Sequence, residues 1–271
     1  MAAVGLTGPW IPNGTLYSNS GVSILTTTDP KWLVKTFRGA AWAELEFITR
    51  VANGEHPIRH MVELPEKDRS GSNILWSWYA MRRYDTTVSL PWGRKCWKQL
   101  ARTVLEFLED LHRGHGLVHM DIKLPNLLVD LSANTCVVAA YELVGPPTMN
   151  AAREFSDDYY WYFVGFGAEP DKPLTTWRMD FLMLGYTLAE LLWDTETFGT
   201  WRFSAECDKR RKGLLPDKTD REIIELRAVE LLDAHPVVRD YLATVARLVP
   251  WDSTGPPTAS VYQTLRDLFL D

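Results

Sequence analysis

Several short segments between residues 14 and 84 alternate between hydrophobic and polar positions with the two-residue period of β-strands. Residues 16–17 and 22–25 show this pattern on either side of a Ser- and Gly-containing turn at residues 18–21, which predicts a hairpin. Residues 32–37 continue the alternation and predict a third strand.

The period changes to that of a helix over residues 40–53, where apolar side chains recur every three to four positions. Residues 60–64 and 74–81 then return to strand-like sequence on either side of a polar loop. The first part of the chain is therefore predicted to form five strands and one helix.

From residue 85 onward the hydrophobic pattern is mainly helical. A long helix is predicted to end near residues 113–116, where glycines provide a stop signal. The segment 180–192 is apolar nearly all round, so it is predicted to be a buried helix. Two short strands are predicted around residues 132–134, and further helices over about 219–234, 238–248 and 261–269.

These elements predict one α+β domain of two lobes. Residues 1–13, rich in Gly and Pro, form a lead-in, residues 14–84 a five-stranded lobe with one helix, and residues 85–271 a mainly helical lobe. A chain of 271 residues with 46% hydrophobic residues can bury a core of this size.

Charge and composition narrow the possible partners. A net charge of -6 argues against a dominant nucleic-acid surface, since binding to phosphate backbones relies on a basic excess. Three scattered cysteines predict neither a disulfide framework nor a zinc site. The chain shows no signal-peptide pattern and no apolar run long enough to cross a bilayer. We expect no membrane partner and a location in the cytoplasm or the nucleus.

Residues 118–128 carry the pattern of a phosphotransfer catalytic loop. Asp121 is followed by Lys123 two positions later and by Asn126 five positions later. Such chemistry needs a carboxylate to accept the proton of a substrate hydroxyl, a cation near the transferred phosphoryl group, and an amide oxygen for a metal ion.

The second metal ligand expected after such a loop is missing. It normally comes from an Asp that begins an Asp-Phe-Gly or Asp-Tyr-Gly triplet. Here the triplet reads Ala140, Tyr141 and Glu142. Glu142 could act as a substitute ligand, but it stands two positions after the place of the Asp.

Lys35 lies among apolar residues of the third predicted strand, and Glu44 lies on the helix that follows. A single Lys in a strand is often a solvated edge residue, and a helical Glu is often simply exposed. The order of hairpin, lysine strand and helix favours a phosphate-contacting Lys35, and Glu44 is then the best-placed partner to hold it.

Together these features resemble a eukaryotic-type protein kinase over about residues 14–271. The chain is most similar to the branch of vaccinia-related kinases and casein kinase one, including its poxviral members. Residues 43–52 are similar to the helix C of that branch, residues 177–186 to its Arg-Arg-x-Asp-Leu-Glu-x-Leu-Gly-Tyr segment, and residues 262–269 to its Tyr-x-x-Leu-Arg-x-Leu-Phe ending.

The resemblance implies a role for each matching residue. The residues implied in nucleotide binding are Lys35 for the phosphates, Glu44 as its ion-pair partner, Gly21 in the glycine-rich loop, Met81 as gatekeeper, Arg83 in the hinge of residues 82–84, and Asn126. Asp121 matches the catalytic base and Lys123 the cation beside the phosphate, whereas Asn126 matches a metal ligand. His119 and Tyr141 match positions of an apolar column between the lobes, which Ile48 can join, and Asp180 matches the Asp that holds the catalytic-loop backbone.

Several positions depart from the kinase pattern. Gly21 is the only glycine left in the glycine-rich loop, Ala140 replaces the metal-binding Asp, and residues 169–170 do not match the usual end of the activation segment. Met120 stands where many kinases have the Arg that pairs with an activating phosphate. Loss of the metal ligand should cost several powers of ten in rate, because the protein contributes mainly positioning and electrostatics to phosphoryl transfer.

The resemblance and these departures predict a pseudokinase that binds or modulates protein partners, such as an active kinase or its substrate. We expect weak, metal-independent ATP binding or none, and a poor magnesium site. The alternative is an active serine/threonine kinase with atypical metal coordination. The aromatic run at residues 155–163 is either a partner-facing surface or packing for the activation segment.

Overall fold

A computed structural model describes residues 10–18, 21–38, 42–52, 56–66, 70–72, 76–147, 176–192, 235–250 and 253–270, together with Leu6 and Gly54. The aromatic run at 155–163, residues 169–170 and the helix predicted over 219–234 lie outside these ranges.

The N-terminal lobe contains a five-stranded antiparallel sheet and one helix. In chain order its elements are β1 (Pro12–Ser18), β2 (Val22–Thr27), β3 (Trp32–Arg38), α1 (Trp42–Ala52), β4 (Ser70–Ser72) and β5 (Trp76–Arg82). The strand order across the sheet is β1-β2-β3-β5-β4, so β3 and β5 are neighbours. The predicted lobe of five strands and one helix is confirmed.

The prediction of a strand at residues 60–64 is wrong. The fourth strand of the sheet, β4, is formed by Ser70–Ser72 instead. The backbone of the 60–64 segment bonds to other parts of the fold. Met61 forms an isolated bridge with Val138, and the amide of Val62 donates to the hydroxyl of Tyr141. The first strand also begins at Pro12, two residues before the predicted start of the lobe.

The rest of the described chain is mainly helical. Its elements are β6 (Thr86–Thr87), α2 (Leu90–Glu109), a π-helical turn (Asp110–Gly114), a 3-10 turn (Leu124–Asn126), β7 (Leu127–Asp130), β8 (Thr135–Val138), α3 (Trp177–Leu192), α4 (Pro236–Leu248) and α5 (Ala259–Asp267). Strands β6, β7 and β8 form a small antiparallel sheet. None of the helices in the described ranges is long and apolar enough to cross a membrane.

One hydrophobic core runs through both lobes. It extends from Leu33 and Phe37 in β3, through Ile48 in α1, to buried side chains of α2, α3, α4 and α5. Helix α3 lies between α2 and α4, and 12 of its 16 residues are buried, as expected for a helix that is apolar nearly all round. This continuous core fixes the two lobes around the cleft that contains the candidate site.

The outer face of the N-terminal sheet has a smaller core of its own. Val34 and Ala80 point away from the cleft and are covered by Trp10, whose ring meets Trp32 edge to face with 6.1 Å between centroids. Part of the predicted lead-in therefore packs onto the sheet.

Candidate active site

Lys35 lies on β3 in register with Tyr79 of β5, and both side chains point toward helix α1. The Lys35 ammonium donates to both carboxylate oxygens of Glu44, with Nζ–O distances of 3.2 and 2.9 Å. Glu44 also accepts hydrogen bonds from the Tyr79 hydroxyl at 2.9 Å and from the Tyr141 amide at 3.2 Å. Glu44 is almost completely buried, and these four contacts satisfy its carboxylate.

Glu142 forms a second ion pair with Lys35. Its Oε1 atom contacts the Lys35 ammonium, across 107 positions of sequence. The Glu142 side chain is 42% exposed, whereas that of Lys35 is 9% exposed. Lys35 is thus held by one buried carboxylate from α1 and by one half-exposed carboxylate from the segment after β8.

The three charged groups alter each other's protonation. Burial disfavours the ammonium of Lys35, but the two carboxylates outweigh it and raise its pKa above the ordinary value. Burial raises the pKa of Glu44 despite the opposing effect of Lys35. For Glu142 the attraction of Lys35 exceeds the effect of burial and lowers the pKa.

The catalytic-loop candidates lie together. Lys123 Nζ is 2.8 Å from Asp121 Oδ1. The side-chain Nδ2 of Asn126 donates to Asp121 Oδ2 at 2.7 Å and to the Asp121 backbone oxygen at 2.9 Å. The 3-10 turn positions Asn126 for both bonds. Asp121 is therefore oriented by two neighbours, with only a small part of its side chain exposed.

Asp180, in the first turn of α3, fixes the backbone that precedes Asp121. Its two carboxylate oxygens accept hydrogen bonds at 2.7 Å from the amides of His119 and Met120. Met120 has a left-handed backbone with φ of 66°, which residues other than Gly, Asn and Asp seldom adopt. The buried carboxylate thus stabilises a bend that presents Asp121 to the cleft.

Tyr141 connects the two lobes through its ring and its hydroxyl. Its ring contacts Phe47 of α1, with 5.0 Å between centroids, and His119 of the catalytic loop, at 5.9 Å. Its hydroxyl donates to the Val138 carbonyl and accepts the Val62 amide. Ile48 is fully buried in the same core.

Residue 140 has a left-handed backbone conformation and no metal-binding side chain. Ala140 has φ of 64°, and its methyl group provides no ligand. Among the described residues, no group of three or more His, Cys, Asp and Glu side chains is arranged to hold a metal ion. With Glu142 held by Lys35, the residues present do not fit the two-ligand metal site of a kinase.

Three further residues implied in nucleotide binding, Gly21, Met81 and Arg83, differ in their position and in the hydrogen bonds that they already make. Gly21 directly precedes β2, and its carbonyl accepts a hydrogen bond from the Arg38 amide. Met81 is buried on β5 opposite Leu33, on the same face as Lys35. The amide of Arg83 donates to the Lys31 carbonyl at 2.7 Å, so this N–H is already used within the protein.

Comparison with solved structures identifies the architecture. The chain is similar to the kinase PK-1 of the Cydia pomonella granulovirus, with a TM-score of 0.52 and 20% sequence identity, over 68% of this chain and 70% of the other. The chain has a bilobal protein kinase-like fold. No protein-family model matches the chain, and no curated protein matches it.

Sequence reasoning missed one residue of this site, Tyr79, and one contact, that of Glu142 with Lys35. Tyr79 could have been found from strand pairing, since it lies opposite Lys35 in the neighbouring strand. The contact of Glu142 with Lys35 had only one signal, an acidic residue directly after Tyr141 where a kinase has Gly.

Proposed function

We propose that the protein is a pseudokinase of the vaccinia-related kinase type, which binds or modulates protein partners with little or no phosphotransfer. The observation that carries this proposal is Ala140, which replaces the metal-binding carboxylate at the start of the triplet. Without a metal held at this place, the charge that develops on the transferred phosphoryl group lacks its main stabilisation.

The same geometry supports a binding role. The ion pair of Lys35 with Glu44, the Tyr141 column and the Asp180 contacts preserve the kinase architecture at the cleft. A kinase-shaped surface of this kind suits a protein partner such as a related active kinase or its substrate. The net charge of -6 makes a nucleic-acid partner a poor candidate.

A phosphotransfer assay tests the proposal directly. The full chain is incubated with labelled ATP, magnesium or manganese, and a general protein substrate, beside Asp121→Asn as the matched variant. We expect the same background in both. Turnover that disappears in Asp121→Asn would refute the pseudokinase proposal.

The second candidate is an active serine/threonine kinase with atypical metal coordination. It is favoured by the arrangement of Asp121, with Lys123 at 2.8 Å and Asn126 at 2.7 Å. The same assay decides between the two, since this candidate requires turnover that depends on Asp121.

The partner role has its own test. The full chain is titrated into a reaction of an active kinase of this type with a protein substrate, and the rate of that kinase is measured. A change of rate that Asp121→Asn reproduces supports modulation by binding alone. A change that Asp121→Asn abolishes indicates catalysis, and no change with either protein contradicts a role on that kinase.

A further inference from the structure

An ammonium group has three N–H donors, and all three donors of Lys35 have a carboxylate oxygen as partner. Two bond to Glu44 and the third to Oε1 of Glu142. In a kinase the corresponding Lys contacts nucleotide phosphates. We propose that Glu142 takes the place of a phosphate at Lys35, so that the cleft disfavours polyphosphates and accepts a nucleoside at least as well as a nucleotide.

Glu142, not Glu44, is the partner that an incoming phosphate would have to displace. Glu44 is 1% exposed and holds the Tyr79 hydroxyl and the Tyr141 amide, so moving it leaves several buried groups unpaired. Glu142 is 42% exposed and can turn into solvent at lower cost. The outcome at Lys35 is therefore a competition between Glu142 and phosphate.

Charge strengthens this competition. The cluster places two acidic side chains around a single ammonium, and Lys35 lowers the pKa of Glu142, which favours the charged carboxylate at that position. A displaced Glu142 remains beside the phosphates, where like charges repel each other. Ala140 provides no ligand for a metal ion that could offset this repulsion.

Binding of ATP, ADP and adenosine to the full chain, measured by calorimetry in EDTA and again in magnesium, tests the proposal. Glu142→Gln keeps the size of the side chain and removes its charge. We expect this variant to bind ATP and ADP about tenfold more tightly than the original chain, the effect of losing one moderate ion pair. Adenosine affinity should stay within about twofold, because adenosine has no phosphate to compete for Lys35.

Two further variants sharpen the result. Glu106→Gln is the matched control, since Glu106 is a similarly exposed carboxylate that pairs with His60 away from Lys35, and it should leave all three affinities unchanged. Lys35→Met combined with Glu142→Gln should lose the gain in ATP affinity, because the phosphate then has no ammonium to contact.

Unchanged ATP affinity in Glu142→Gln, an equal gain for adenosine, or no binding of any ligand by either protein would refute the proposal. A loss of ATP affinity confined to magnesium would also refute it, and would identify Glu142 as a metal ligand. These binding results do not depend on turnover, so the proposal can fail while the pseudokinase assignment stands, and the reverse.

Discussion

The hydroxyl of Tyr262, on helix α5, lies 2.6 Å from Nδ1 of His112 in the interior of the C-terminal lobe. Nε2 of the same ring is 2.9 Å from the carboxylate of Asp180, which holds the amides of His119 and Met120. All these side chains are buried. A continuous series of hydrogen bonds thus connects the last helix to the backbone of the catalytic loop.

Tyr262→Phe removes the partner of a buried ring nitrogen. We expect the free energy of unfolding to fall by about 1–3 kcal/mol, the usual cost of an unsatisfied buried group. Urea unfolding followed by tryptophan fluorescence measures this change. Thr264→Val is the control, since the Thr264 hydroxyl on the same helix bonds to the Ser260 carbonyl at an exposed position, and it should change stability by less than about 0.5 kcal/mol. Equal effects of the two substitutions would contradict the assigned role of the Tyr262 hydroxyl.

The left-handed backbone at Ala140 predicts a stabilising substitution. Ala140→Gly relieves a conformation that costs an L-residue about 1–2 kcal/mol, against an entropic cost of glycine of about 0.5–1 kcal/mol. We expect the free energy of unfolding, measured in urea, to rise by about 0–1.5 kcal/mol. The neighbouring Ala139 has no such φ, so Ala139→Gly should destabilise the protein. A loss of stability in Ala140→Gly would show that the strain is absent.

Sequence patterns predicted the lobes, the order of the helices and most strands, because strands with clear alternation and long apolar helices carry strong local signals. They failed at β4, a three-residue strand of Ser70, Gly71 and Ser72 with no hydrophobic pattern. They also misread residues 60–64, which have a strand-like sequence but whose backbone bonds to partners elsewhere, including Val138 and Tyr141. Burial and pairing at these places depend on distant residues.

The candidate site shows the same limit. Lys35, Glu44 and Asp121 follow from their positions in recognisable segments. The ion pair of Glu142 with Lys35 depends on how the segment after β8 meets β3, which no local pattern determines. The left-handed φ of Ala140 could not be predicted from the sequence either, because alanine rarely adopts this conformation.

Cys136 should react slowly with thiol reagents in the folded protein. Burial raises the pKa of its thiol to about 12, so at pH 8 almost none of it is the reactive thiolate. Cys96 is partly exposed and serves as the internal comparison. Iodoacetamide labelling at pH 8, read by peptide mass spectrometry, should modify Cys96 first and Cys136 only after unfolding in urea. Comparable rates in the folded protein would contradict this.

Asp130 should make the protein sensitive to acid. Its carboxylate accepts bonds from the Ser132 hydroxyl and the Ala133 amide and pairs with Arg82, and these contacts lower its pKa in the folded state. A lowered folded-state pKa means that the stabilisation is complete above the unfolded-state pKa and is lost as pH falls through the folded-state value.

Urea unfolding between pH 7 and pH 3 tests this prediction. The original chain should lose more stability over this range than Asp130→Asn, which has no charge to lose at this position. The two pH profiles should therefore converge toward low pH. Parallel profiles would show that Asp130 makes no pH-dependent contribution.

The hydroxyl of Tyr141 has a consequence for motion. It bonds at once to the Val62 amide of one lobe and to the Val138 carbonyl of the other, so any hinge movement that separates Val62 from Val138 has to break at least one buried hydrogen bond. The width of the cleft is therefore restrained from the inside. A molecule bound between the lobes would therefore meet a site whose width is set in advance, so its binding would cost the protein little conformational entropy.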